Sequence, residues 1–191
     1  EYVLTNLVEW TFPAGKDSLG ATTVADNMTA GDITNGPAGT TLQGTSNLFM
    51  NAQFYKPATN RYLVFTLTPA TGRTFKAESI SFETRVSSAN GPDTIELFGT
   101  MPGGSETLWA TNTIDLFDPE NPTGTNWNNY LVVSSGVNVA MSSASTVTVT
   151  FKLLARVADT NHLVSSDNAN WYVDNLTVSG THNILGFPEY Q

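Results

Sequence analysis

The sequence predicts an all-β protein, an antiparallel two-sheet β-sandwich of jelly-roll topology. Three observations lead there. Apolar and polar residues alternate with a period of two along several segments, and no segment carries a sustained helical stripe. Clusters of Gly, Pro and Asn interrupt these segments at short, regular spacing. The chain has 191 residues, enough to bury a sizeable core as one domain. Neither an internal repeat nor a linker-like stretch divides it, so residues 1–191 are read as a single unit.

Three segments give the clearest strands. In Arg61–Thr68, Leu63, Phe65 and Leu67 face one way while Tyr62, Val64 and Thr66 face the other. In Glu78–Ser87, Ile80, Phe82 and Val86 alternate with Ser79, Ser81, Glu83 and Arg85. In Thr146–Arg156, Val147, Val149, Phe151 and Leu153 alternate with Thr148, Thr150 and Lys152. Further strands are expected at Val3–Phe12, Leu48–Tyr55, Ile95–Met101, Thr107–Ile114, Tyr130–Ser134 and Trp171–Ser179. Turns fall at Asn35-Gly36-Pro37, Pro69–Gly72, Asn90-Gly91-Pro92, Met101–Gly104 and Asp118–Pro122. There Gly or Asn supplies positive φ and Pro sets a corner.

The last strand breaks parity. Trp171 and Val173 share one face, whereas Leu176 and Val178 share the opposite one. A β-bulge at Asp174–Asn175 would bring all four to the core; a strand buried on both faces is the alternative. Either way Asp174 stands where a carboxylate is costly unless it is paired or bound to a cation.

Composition narrows the function. Charged residues are 13% of the chain, about half the usual share, so Thr, Ser and Asn must build the polar surface. Eight basic against seventeen acidic residues give a formal net charge of −9, which disfavours nucleic acid and anionic lipid as partners. There is no cysteine, hence no thiolate chemistry, and no apolar run long enough for a membrane-spanning helix. The sequence opens on Glu1 without a basic-then-apolar leader, the form expected of an extracellular or cell-surface protein whose signal peptide has been removed.

Three stretches carry a family resemblance: Tyr62–Gly72, the run Ser79–Arg85 closed by Ser87–Pro92, and Trp171–Gly180, a Trp-x-x-Asp-Asn-x-x-Val-x-Gly signature. Together they resemble secreted bacterial jelly-roll domains of the kind found in PEP-CTERM-anchored surface proteins, which are similar to carbohydrate-binding jelly rolls. The likeness runs from about Glu9 to Thr181. It implies the sandwich fold and secretion but names no ligand. The Pro-Glu-Pro anchor and apolar tail of that family do not follow Gly180.

No catalytic residue is assigned. His162 lies in a polar loop and His182 in the tail, neither beside a nucleophile motif. Glu78 and Glu83 have opposite parity and Glu96 stands alone on its strand, so no paired carboxylates of a glycosidase emerge from one strand. The resemblance implies a structural calcium between the first and last strands, held by Glu9 and Asp174; hard oxygen donors suit that ion. The competing reading has Asp174 bonding backbone amides at the bulge and Glu9 merely exposed. Trp127, Asn128 and Tyr130, with Trp171, have the composition of a sugar platform, although large rings at strand starts also close sandwich cores. Two N-x-T sequons occur, at Asn27 and Asn175.

The ends of the chain suggest a partner. Val3, Leu4 and Leu7 precede the family-like region, and Ile184, Leu185 and Phe187 follow it, in extensions 1–8 and 182–191. These apolar residues either extend the chain's own sheets or add strands to another copy of itself. Repeated head to tail, the second option makes an open filament. The expected function is therefore a non-catalytic structural subunit of an extracellular filament or surface layer; a carbohydrate-binding module, with polysaccharide as partner, is the alternative.

Overall fold

A computed structural model describes residues 5–12, 19–36, 43–45, 49–54, 60–86, 92, 94–113, 128–132, 137–139, 148–156 and 169–184. Every regular element among them is a β-strand, and every strand pair is antiparallel. In chain order they are β1 (Thr5–Trp10), β2 (Thr23–Val24), β3 (Met28–Ala30), β4 (Thr34–Gly36), β5 (Gln43–Thr45), β6 (Phe49–Phe54) and β7 (Asn60–Pro69). There follow β8 (Arg73–Val86), β9 (Thr94–Thr100), β10 (Glu106–Thr113), β11 (Asn128–Val132), β12 (Val137–Val139), β13 (Val149–Arg156) and β14 (Ala169–Ile184).

Two sheets result. The eight-stranded sheet runs β11-β8-β14-β1-β2, with β12 also on β8, β6 also on β14 and β5 on β6. The six-stranded sheet runs β10-β9-β13-β7-β3, with β4 also on β7. Strands adjacent in space are mostly distant in sequence, as a jelly-roll sandwich requires.

The three clear alternations behave as the period predicts. Leu63, Phe65, Leu67, Ile80, Phe82, Val149, Phe151 and Leu153 are all buried. Rings from both sheets meet in the centre: Trp10 meets Phe65 edge-on at 5.2 Å, Phe65 stacks on Phe151 at 5.2 Å, and Trp109 meets Phe151 edge-on at 5.6 Å. Such pairs add to the transfer energy of the buried rings. The two- and three-residue strands β2, β3, β4, β5 and β12 are too short to show a period, and the sequence reading missed them.

The parity break in the last strand is a bulge. Against β8, register shifts between Asp174 and Thr177, and Asn175 has φ 48°. The extra residue brings Trp171, Val173, Leu176 and Val178 to one side, each 0% exposed. A second shift follows Ser179, where Gly180 crosses Lys76 and Ala77 so closely that a Cβ would collide with the Lys76 carbonyl.

The described parts of the terminal segments, residues 5–8 and 182–184, belong to the sandwich. β14 lies along one edge of β1 and β2 along the other. Leu7 and Val8 are fully buried in the chain's own core, and β14 continues through Ile184, which pairs with Arg73. Leu7 is thus unavailable for intersubunit contact, because its apolar surface is already withdrawn from water. Val3, Leu4, Leu185 and Phe187 lie outside the described residues.

Candidate functional site

The outer face of the six-stranded sheet carries side chains that the core has no use for. On β13, every second residue from Thr150 to Arg156 points outward, and the corresponding positions on β7 and β9 do the same. Register aligns Val64, Lys152, Phe98 and Leu108 in one row across β7, β13, β9 and β10. The neighbouring row contains Tyr62, Leu154 and Glu96, and the row on the other side Thr66, Thr150 and Thr100.

Lys152 organises this face. Its Nζ pairs with the Glu106 carboxylate and sits 4.4 Å from the Phe98 ring centroid and 5.5 Å from that of Tyr62. A cation over two ring faces gains from both quadrupoles while its stem covers apolar surface. Two rows away, Arg156 reaches back to Glu96 of the intervening row at 2.9 Å. Among the described residues the partners of each ion pair offset each other's charge, and two partly exposed rings and the exposed Leu108 lie beside them. Chemically, such a surface offers apolar ring area beside hydroxyl, carboxylate and ammonium groups.

The sequence reading placed Tyr62 on a wet face and did not mark it as functional; Phe98 and Lys152 were passed over likewise. The available signal was an aromatic at the solvent parity of two strands, Tyr62 and Phe98. What it lacked was the neighbourhood, since β7, β13 and β9 are adjacent only in the folded sheet.

Of the expected sugar platform, the structure decides Trp171 alone. Trp171 is 0% exposed, and its indole N–H donates to Thr84 Oγ1 at 2.8 Å, while that hydroxyl donates to the Tyr172 carbonyl at 2.9 Å. It closes the core and offers no ring to a ligand. Asn128 and Tyr130 lie on β11, in register with Thr84 and Phe82 of β8. Trp127 lies outside the described residues, as does His162.

Glu9 and Asp174 occupy neighbouring strands of the other sheet. Glu9 is opposite Thr177 and Thr23, and Asp174 is opposite Glu83. Asp174 is 8% exposed, and its Oδ1 accepts the Asn175 backbone N–H at 2.8 Å; Asn175 in turn donates its Nδ2 to Glu83 Oε2 at 3.0 Å. Burial, against the lowering effect of that backbone bond and assisted by the Glu83 charge, lifts the Asp174 pKa from 3.8 to about 6. Among the described residues no three His, Cys, Asp or Glu side chains gather. The Asn175 sequon is tied into this network, whereas Asn27 is exposed in a turn with φ 62°.

No protein-family model matches the chain, and no curated protein matches it. Solved structures of similar fold include a carbohydrate-binding module studied for specific mannan recognition, 9% identical over 94% of this chain and 99% of that one, with a TM-score of 0.42. A module specific for non-crystalline cellulose is 16% identical over 87% and 96%, with a TM-score of 0.45. A family 11 module from Clostridium thermocellum, in complex with a mixed-linked tetrasaccharide, is 12% identical over 91% and 96%, with a TM-score of 0.35. At these identities the likeness concerns the β-sandwich fold alone. The expectation of a filament or surface-layer subunit joined through its ends is corrected. Several of the solved sandwiches of similar fold are carbohydrate-binding modules, and others are a carbohydrate esterase, a cleaved adhesin domain and an exo-β-agarase. β1, which contains the described part of the N-terminal segment expected to make intersubunit contact, is an inner member of the chain's own sheet.

Proposed function

We propose that this chain is a non-catalytic carbohydrate-binding module that works outside the cell, with polysaccharide as its partner. The observation that carries the reading is the outward face of the six-stranded sheet, where Tyr62 and Phe98 flank the Lys152–Glu106 pair. Pyranose rings present C–H faces that pack on aromatic surface, while their hydroxyls take planar carboxylate and hydroxyl partners. The ion pair and cation–π contacts fix the rings before a ligand arrives, which lowers the ordering cost of binding. A non-catalytic role is supported by Asp174: this acid with raised proton affinity is covered and bonded to backbone. Placement outside the cell is supported by the resemblance to secreted surface domains and by the low charge content.

Affinity electrophoresis against a polysaccharide panel tests this. Tyr62→Ala and Phe98→Ala should each weaken binding by roughly tenfold or more, as expected for loss of an aromatic anchor. Binding untouched by both changes removes the reading of this face, and a Trp127→Ala loss in its place would move the site to the segment before β11.

A structural calcium at Glu9 and Asp174 is a separate proposal, supported by the acid–acid neighbourhood of Asp174 and Glu83. Thermal unfolding with and without a chelator tests it, and an identical midpoint rejects it.

A further inference from the structure

Among the described residues of the six-stranded sheet, the outward charges on β9, β10 and β13 fall in matched pairs. Its two outward cations among the described residues are each matched by an acid, Lys152 by Glu106 and Arg156 by Glu96. Lys152 is matched twice over, because the Phe98 and Tyr62 rings also lie against its ammonium. An anionic ligand would have to displace those partners, and the freed carboxylates would then repel it. The rest of the molecule adds to the penalty: seventeen acidic against eight basic residues give −9 overall, a field that slows the approach of any polyanion.

An uncharged chain meets none of these costs. The Glu106 side chain is 45% exposed, so its carboxylate can accept hydroxyl protons while still holding Lys152. Thr66, Thr150 and Thr100 stand in one cross-strand row beside it, each partly exposed. The row Val64, Lys152, Phe98 and Leu108 crosses four strands, about 14 Å at the usual strand spacing, and runs perpendicular to them. That is a track of apolar side chains interrupted by Lys152, with the Thr row and Glu106 along one side and Tyr62, Leu154 and Glu96 along the other.

From this we infer that the ligand is an uncharged polysaccharide lying across the strands of the six-stranded sheet, and that polyanionic glycans are rejected. The inference rests on the carbohydrate-binding reading and adds the chemical class of the ligand and its direction. It also gives the two ion pairs a role as a charge filter.

The test measures binding of the intact chain to neutral polysaccharides (mannan, mixed-linked glucan, galactan) and to acidic ones (polygalacturonate, alginate). Each is measured at about 0.01 M and about 1 M salt, which spans strong and weak screening. The expected result is retention by at least one neutral polymer, with affinity changing less than roughly twofold with salt, and no retention by the acidic ones. The double variant Glu96→Gln, Glu106→Gln releases both cations and should gain salt-sensitive binding to the acidic polymers. Wild-type binding to an acidic polymer that salt abolishes overturns the charge filter while leaving the module reading intact. Failure to bind any polymer of either kind overturns the module reading and this inference with it.

Discussion

Asp174 shows how one side chain can tie the fold to pH. Above about pH 6 the folded chain holds a buried carboxylate that the unfolded chain would solvate. As pH falls through 6 towards 3.8, the folded state takes up the proton first, so stability increases across that window. Below 3.8 both states are protonated and the slope from this group vanishes. The full effect is on the order of 2–3 kcal/mol. Asp174→Asn keeps an oxygen for the Asn175 N–H and removes the charge. In chelator-containing buffer it should melt higher than wild type at pH 8 and together with it near pH 4. Parallel melting curves across that range would contradict the burial argument. Trp171 offers a second test at this scale. Trp171→Phe loses the bond to Thr84 Oγ1 and should cost about 1 kcal/mol in denaturant unfolding, with additional loss from the smaller ring. Because Trp171 is fully buried, polysaccharide binding by the folded variant should be unchanged.

Among the elements, β14 organises its sheet, pairing with β8 along one edge and with β6 and then β1 along the other. Two register shifts let it serve all three partners while keeping its apolar residues inward. Gly180 permits the second, since its backbone passes against that of Lys76. Gly180→Ala should destabilise by about 2–3 kcal/mol, because a backbone contact cannot yield as a flexible side chain can. Gly99 is a different case: a Cβ there would strike the Trp109 ring, which lies over β9 and reaches Phe151. Urea midpoints for the two alanine variants measure both, and an unshifted Gly180→Ala midpoint would show that the strand crossing can relax. Much at this scale was legible. The parity break in Trp171–Ser179 required a bulge or a doubly buried strand, and buried Trp171, Val173, Leu176 and Val178 on one side decide for the bulge. The short strands were not legible, because two or three residues contain no period.

For the whole molecule, the two sheets share a single core in which Trp10 from one meets Phe65 from the other. Such a core should unfold cooperatively, with calorimetric and van't Hoff enthalpies in agreement; a second transition would divide the chain into separate units. The apolar residues near the N-terminus illustrate an ambiguity the chain alone could not resolve. Leu7 and Val8 had to be buried, but a hydrophobic pattern does not say against what. The fold places them in their own sandwich. The aromatic face of the six-stranded sheet was hidden for the same reason, since Tyr62 and Phe98 each look like an isolated surface aromatic until β13 brings Lys152 between their strands.

By itself, the sequence determined the all-β class, the principal strands and their buried sides, and the strain at Asp174. Those follow from side-chain alternation and from the cost of burying a charge, both local properties. Tertiary structure alone decided which strands are neighbours. That in turn decided that Trp171 is core, that β1 stays at home and that Tyr62, Lys152 and Phe98 form one surface. Strand pairing joins residues far apart in the chain, and no local pattern specifies the partner.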